Sequence, residues 1–460
     1  MLYQGNFKDL EGLKKGEDKM KSIIISSNSS GGGKTTFTLG FMKALEKKGY
    51  SVQGYKVGPD YIDTDFHKLI TKKNSRNLDT FLMSDDGVIE SYLRGEGDLG
   101  VIEGAMGLYD GKGINSEASA YSISKLLSIP IILVITPKAQ STTLAAELQG
   151  LVKFKDANIA GVVFNKVSER YYLLLKKVVE SFTDLKVFGY IPKLEEVKFK
   201  SRHLGLVQGI EIEDLDKKIE VLSNTILETV NLDLAISVFK EAEHKEIDRN
   251  KFKLTNKNLR IAVAYDEAFR FYYKENLELL EEIGEVKYFS PLKDKKLPND
   301  INFLYIGGGY PEVFKEKLAQ NKSLLSDIKE KLDKGIKCYA ECGGLMYLTN
   351  SVDDSNMVGF FDGISYMTNK LNNFGYATLK IDKNNKFEKE IEVNCHEFHK
   401  SKVELKEDTI YKVYKEDILG DTKIWNCGYV KNNVLAGYPH IHFFGNMEFV
   451  SSLLKDEVND

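Results

Sequence analysis

The first strongly apolar run of the chain is SIIIS (Ser22–Ser26). A glycine-rich turn follows, then TTFTLGFMKALEKKG, whose apolar residues recur at helical spacing as far as Gly49. This pattern predicts a buried parallel strand leading into a helix. The alternation continues through VQGYKVG, LGVIEGAMG, IPIILVITP and IAGVVFNKV to about Leu234. Strands separated by helices predict a parallel sheet covered on both faces. Residues 237–258, SVFKEAEHKEIDRNKFKLTNKN, are charged and weakly apolar and read as a linker. A second alternation begins with LRIAVAYDEAF and runs through VKYFSPL, NFLYIGGGYPE and KCYAECGGLMYL. Beyond Gly359, shorter Val-, Tyr- and Thr-rich pieces predict an added antiparallel region. The expected fold class is therefore α/β in two domains. The expected division is a poorly ordered extension over 1–20, a P-loop parallel-sheet domain over 21–236, the linker over 237–258 and a second α/β domain over 259–460.

Composition narrows the class. With 460 residues, 42% hydrophobic and 29% charged, the chain can build two sizeable cores, which excludes a disordered or fibrous protein. Its 64 basic and 68 acidic residues nearly cancel, so no electrostatic footprint for nucleic acid or an anionic membrane is expected. The four cysteines form no CxxC pair, which argues against a zinc site and for reduced thiols in the cytoplasm. No apolar run reaches the roughly 18 residues of a bilayer span. The opening MLYQGNFKDLEGLKKGEDKM lacks an apolar signal core.

Two segments carry chemistry. SSNSSGGGKTT (Ser26–Thr36) lies between a strand and a helix and ends as a P-loop does, with Asn28 where the common pattern has its first glycine. Gly31, Gly32 and Gly33 let backbone N–H groups face phosphate oxygens. Lys34 would reach the terminal phosphates and Thr35 would hold Mg²⁺. Acidic residues then fall just past strand ends: Asp60 and Asp63 after Lys56 in KVGPDYID, and Glu103 and Asp110 in VIEGAMGLYDG. Carboxylates there point into the crevice where parallel sheets bind ligands. Glu103 and Asp60 could complete the Mg²⁺ set with Thr35.

In the second domain, KCYAECGGLMYL presents Cys342 between a strand and a helix that begins with two glycines. This is the pattern of a nucleophile elbow, and the helix dipole is expected to lower the thiol pKa. Gly308 and Gly309, after the strand NFLYI, would join the Gly343 amide in an oxyanion hole. The base should be a histidine. His440 and His442 in AGYPHIHFFG would share one face of a strand. His396 and His399 in CHEFHKS compete, and a four-histidine metal site is the weaker reading.

These motifs occur in a specific order. KVGPDYID, SRNLD, IEGAMGLYDG, GVVFNKV, SRHLGL, AYDEAFRFYY, FSPL, GGGYPE, AECGGLMYL, EFHKS and YPHIHF follow the P-loop. Over about residues 21–450 the series resembles the cobyrinate a,c-diamide synthases, glutamine-dependent enzymes of corrinoid biosynthesis, more than the related cobyric acid synthases. The resemblance implies a dethiobiotin-synthetase-like ATP-dependent amidoligase domain followed by a class I, triad-type glutamine amidotransferase. It implies that the enzyme is a glutamine-hydrolysing carbon–nitrogen ligase of cobalamin biosynthesis, with cobyrinate, ATP and L-glutamine as substrates and Mg²⁺ as the ion. By motif match it assigns Gly31, Gly32, Gly33, Lys34, Thr35, Thr36 and Lys56 to ATP, with Asn165 as an adenine contact. It assigns Thr35, Asp60 and Glu103 to Mg²⁺, and Tyr61, Asp63 and Asp110 to the substrate and phosphoryl-transfer site. Cys342 becomes the glutaminase nucleophile and His440 its base, with His442 in the usual place of the orienting carboxylate. A homodimer is compatible with this reading.

Two other readings compete. The same chemistry could act on hydrogenobyrinate or nickel-sirohydrochlorin, both tetrapyrroles with acetate side chains. A P-loop partitioning ATPase would instead carry a lysine five residues before Lys34, where this chain has Ser29, and would lack the Cys-Gly-Gly elbow.

Overall fold

In the computed structural model, residues 19–197, 201–202, 205–206, 214–255, 258–384 and 386–455 are described. The expected extension lies outside them apart from Lys19 and Met20, as do His203 and Leu204 of the SRHLGL motif.

The first half forms seven parallel strands in the order β3-β2-β4-β1-β5-β6-β7. They are β1 (Lys21–Ser26), β2 (Val52–Val57), β3 (Arg76–Leu78), β4 (Leu99–Glu103), β5 (Ile131–Ile135), β6 (Ile159–Asn165) and β7 (Lys186–Ile191). Ile23, Ile24 and Ile25 of β1 are fully buried, as expected for a strand covered on both faces. Helices α1 (Lys34–Lys47), α2 (Tyr61–Thr71) and α3 (Thr80–Leu93) follow β1, β2 and β3. The right-handed crossovers of such a sheet bring its P-loop, and the loops after β2 and β4, to one carboxyl edge.

The stretch read as a linker is not a free tether. Lys240–Glu241 pairs antiparallel with Lys21–Ser22 of β1, and Arg249 donates to Glu90 of α3 at 2.6 Å.

The second half continues parallel strands into an antiparallel extension. Gly284–Phe289, Leu259–Ala264, Phe303–Ile306, Lys337–Glu341 and Val434–Gly437 lie side by side and parallel. Thr422–Lys431, Thr409–Glu416 and Gly363–Ile381 then follow antiparallel, with Ile391–Leu405 folded back on the last. The pieces beyond Gly359 are longer than the sequence pattern implied, with 19 residues in Gly363–Ile381 and 15 in Ile391–Leu405. Register shifts between Met367 and Gly375 break the two-residue alternation, which made one strand read as fragments. One apolar core runs from Ile24 and Ile102 of the first sheet through Ile261 and Tyr305 of the second, so the domains are packed rather than tethered.

Candidate active sites

The P-loop is held open by the residues around it. Gly33 has φ 93° and caps α1, and a Cβ there would lie 2.1 Å from Asn165 Nδ2. Only glycine fits that turn. Asn165, at the end of β6, donates to the Gly32 carbonyl at 3.2 Å and the Thr136 hydroxyl at 3.0 Å, so it braces the loop from behind. Asn28, at the departure from the common pattern, donates to Glu147 Oε1 at 2.6 Å. Lys34 Nζ donates to the carbonyls of Ser29 and Met106, curled within the cradle. Burial and the neighbouring Lys56 ammonium bring Lys34 down to about 8.

Behind the loop lies a buried charge cluster. Lys56 Nζ donates to Asp63 Oδ2 at 2.5 Å and Glu103 Oε1 at 3.0 Å. Although burial opposes its charge, Asp63 and Glu103 hold Lys56 above the ordinary lysine range. Glu103 also accepts from Thr35 Oγ1 at 2.5 Å and faces His67 Nε2 at 2.9 Å. Burial alone would raise Glu103, but Lys56 and His67 keep it well below the usual carboxylate range. For Asp63 burial, then Asp60 and Glu103, dominate and push it up. The Asp60 Oδ1 caps α2 by accepting from Ile62 N at 2.8 Å and Asp63 N at 3.0 Å. Asp110 Oδ2 accepts from Gly107 N at 3.0 Å and so shapes the turn under Lys34. Thr35 Oγ1 and Glu103 meet at 2.5 Å and Asp60 caps α2; all three offer the hard oxygen donors that Mg²⁺ takes. Thr36 lies in the first turn of α1. His67 was not singled out in the sequence; its spacing on α2, one turn past Asp63, was the available signal.

Cys342 ends the strand Lys337–Glu341 at φ 48° and ψ −100°, and the helix Gly343–Leu348 starts directly after it. A non-glycine residue in this region of backbone space is a strained elbow that pushes its side chain out of the sheet. The expected thiolate is not what the surroundings favour. Burial pushes the Cys342 thiol up, the carboxylates of Glu312 and Glu397 add to it, and the Gly343 N–H alone among the near groups of its own turn opposes. The helix is only 6 residues long, too short to offset that burial. To act as a nucleophile the cysteine would therefore need a base.

His440 supplies an imidazole at the same cleft as Cys342. A Cβ on Gly308 would lie 2.4 Å from His440 Cε1, so the glycine makes room for the ring. Gly309 lines the cleft, and its nitrogen lies 3.0 Å from where a Gly343 Cβ would sit, which brings two of the three expected oxyanion residues together. Gly308 is buried behind them.

The histidines do not share a face. The strand that carries His440 is just His440–Ile441, and His442 turns inward as the cap of the following turn. His442 Nδ1 accepts from Phe444 N at 3.2 Å, so Nε2 carries the hydrogen and faces Glu275 Oε2 at 3.3 Å. His399 faces Glu397 Oε2 at 2.9 Å. His396 is the cross-strand partner of His440, and burial, then His440, pushes it down to about 3. His399 and His442 are committed to different carboxylates, so the four rings do not converge on one centre.

A cleft of about 1120 Å³ runs between the Lys56 cluster and Cys342. Lys56, Asp60 and Tyr61 line it from the first domain and Cys342, His396 and His440 from the second. Asp63 and Glu103 lie behind Lys56, off its wall. Tyr61 stands between the sites: its ring stacks on Phe271 at 5.3 Å and lies 5.5 Å from the His440 ring.

Comparison with known proteins follows the same division. Residues 23–207 match the CobQ/CobB/MinD/ParA nucleotide binding domain, and residues 260–448 the CobB/CobQ-like glutamine amidotransferase domain. A cobyrinate a,c-diamide synthase of Clostridium tetani is 58% identical over 95% of this chain and 100% of its own length. The Clostridium acetobutylicum protein of that name is also 58% identical, over 95% of this chain and 100% of its own. The chain belongs to the cobyrinate a,c-diamide synthase family. Among solved structures, PurLQS from Thermotoga maritima covers 43% of the chain and 98% of its own at 17% identity and TM-score 0.32. The Mg-ADP complex of MinD from Pyrococcus horikoshii covers 39% of the chain and 83% of its own at 19% identity and TM-score 0.28. Both domains are present in this chain, in the order the motifs predicted. Among the described residues no helix is long and apolar enough to cross a membrane.

Proposed function

We propose that the chain converts the a and c acetate side chains of cobyrinate to amides, using ATP and glutamine, in cobalamin biosynthesis. The observation that carries this reading is the cleft shared by the P-loop side, through Lys56 and Asp60, and the Cys342–His440 side. A carboxylate resists ammonia, so an acetate oxygen first attacks the γ-phosphorus of ATP, giving an acyl phosphate and ADP. Lys34 and the P-loop amides hold the phosphates against that developing charge. Mg²⁺, when held by Thr35, Asp60 and Glu103, would neutralise phosphate charge. Asn165 keeps the loop in shape, and an adenine contact by the same residue belongs to the proposal.

Nitrogen comes from the second site. His440 takes the Cys342 thiol proton as sulfur attacks the glutamine amide carbon, and returns it to the departing ammonia. Gly309 and Gly343 N–H groups receive the oxyanion. Water then cleaves the thioester to glutamate. Ammonia crosses the cleft past Tyr61, its nitrogen bonds to the acyl carbon, and phosphate leaves. Asp60, Tyr61, Asp63 and Asp110 form or support the wall at which the acetate is presented.

Mass spectrometry tests the reading: cobyrinate should gain two amides only when ATP and a nitrogen donor are both present. Hydrogenobyrinate and nickel-sirohydrochlorin, assayed in parallel, separate the family reading from its rivals. We further propose that the enzyme works in the cytoplasm as a homodimer. All four cysteines are free and buried, which suits a reducing compartment, and the helix Glu169–Phe182 leaves Leu173, Leu174 and Phe182 exposed. Cell fractionation and light scattering check these two points.

A further inference from the structure

We infer that Glu341 is the positioning residue for His440, a carboxylate supplied from the residue before the nucleophile instead of from the position two residues after the base. The inference rests on the reading of Cys342 and His440 as the glutaminase pair.

The position two residues after His440 is occupied by His442, whose ring is committed to Glu275 on one side and the Phe444 N–H on the other. It has no free lone pair to offer a neighbouring imidazole N–H. His440 Nδ1, meanwhile, is buried and without a hydrogen-bond partner. Orphaned buried ring nitrogens are costly, and one at a reactive base points to a partner. The nearest acid is Glu341, whose Oε2 lies 3.8 Å from His440 Nδ1. That is longer than a hydrogen bond, and such contacts at catalytic bases commonly shorten only when the substrate is bound.

Glu341 is itself fixed. It is 1% exposed. Its Oε1 accepts from the Tyr339 hydroxyl at 2.9 Å and the Ile441 N–H at 3.1 Å, and its Oε2 accepts from the Tyr305 hydroxyl at 3.0 Å. A carboxylate has about four acceptor sites, so three neutral donors leave one open, on the oxygen nearest His440. No cation is among those donors. An imidazolium forming on His440 as Cys342 loses its proton would be the counter-ion that this buried acid lacks. The Ile441 N–H also ties the acid to the strand that carries His440, so acid and base move as one piece. Other titratable groups facing His440 are His396 across the strand pair and Tyr61 from the first domain, neither of them an anion near neutral pH.

The test is Glu341→Gln, which keeps shape and most acceptors but removes the charge. Glutamine-dependent kcat should fall on the order of 10²-fold or more, the scale of acid–base catalysis, with KM for glutamine within about twofold. The acidic limb of the glutamine-dependent pH profile should move to lower pH, because an imidazolium without its anion forms less readily. Ammonia-dependent synthesis should be unchanged. A retained glutamine rate, or an equal loss with both donors and an unmoved acidic limb, overturns the inference. Should the variant fail to fold, ¹⁵N-histidine NMR of the native chain decides: the inference requires a His440 Nδ1–H tautomer, and an Nε2–H tautomer overturns it. His440→Ala separates the levels. If that variant keeps its glutamine rate, the proposed glutaminase pair fails; if it loses the rate while Glu341→Gln keeps it, only the inference fails.

Discussion

Arg76 Nη1 of the first domain lies 3.1 Å from Glu275 Oε1 of the second, and the same carboxylate faces His442 through its other oxygen. Arg76 also reaches Glu278 at 2.8 Å, and Ser91 donates to Glu275 at 2.6 Å. Burial would raise Glu275, but His442 and Arg76 bring it down to about 2. The segment carrying His440 is thereby locked to the ligase domain: Asn276, the next residue, accepts from Phe443 N and donates to the Ile441 carbonyl, both at 2.8 Å.

Removing one partner of such a pair leaves an uncompensated buried charge. Arg76→Ala should therefore destabilise the protein by about 3–5 kcal/mol, read by denaturant unfolding. A loss below about 1 kcal/mol would show that Ser91 and His442 satisfy Glu275 on their own.

Cys342→Ser should abolish glutamine use and leave ammonia-dependent diamide formation largely intact, since in the proposed mechanism the sulfur acts only in releasing ammonia. The two rates are measured on the same folded preparation. Equal losses with both donors would contradict the division of roles between the domains.

Lys34→Ala should remove synthesis with either donor, while free glutaminase activity survives in part. In the native protein, the ammonium of Lys34 is lost as pH rises through about 8 rather than through the ordinary 10.5. Bound phosphate favours the charged form, so ATP binding takes up a proton above that pH. ATP affinity should fall by up to about tenfold per pH unit above about pH 8, a slope Lys34→Ala would lack. Titration calorimetry in buffers of different ionisation heat reads the proton directly.

His440→Ala should lose glutamine-dependent synthesis on the order of 10²-fold or more, and His442→Ala clearly less. His442→Ala should act mainly on stability, by leaving Glu275 Oε2 without its imidazole partner. A larger glutamine-specific defect in the His442 variant would exchange the two roles.

Much of this was legible in the residue pattern. SIIIS before GGGKTT fixes a strand, a turn and a helix by local rules, and AECGG marks the elbow in the same way. What stayed hidden depends on contacts across the chain. His440 and His442 looked equivalent because alternation assumes a continuing strand, whereas the strand ends at Ile441. Glu341 carries no signal of its own within AECGG, since its meeting with His440 spans nearly 100 residues. The thiol shift was misjudged because a helix N-terminus is visible in sequence and burial among Glu312 and Glu397 is not.

The cleft between the sites also sets a concentration. One molecule released into about 1120 Å³ is present at on the order of 1 M, far above what a cell's free ammonia pool supplies at neutral pH. At that level an acyl phosphate does not need a tightly sealed duct in order to meet ammonia before water. It needs the molecule to remain for the few encounters that separate Cys342 from Asp60. Residence time, set by how quickly the mouth of the cleft exchanges with solvent, then decides how much glutamine is hydrolysed for each amide made.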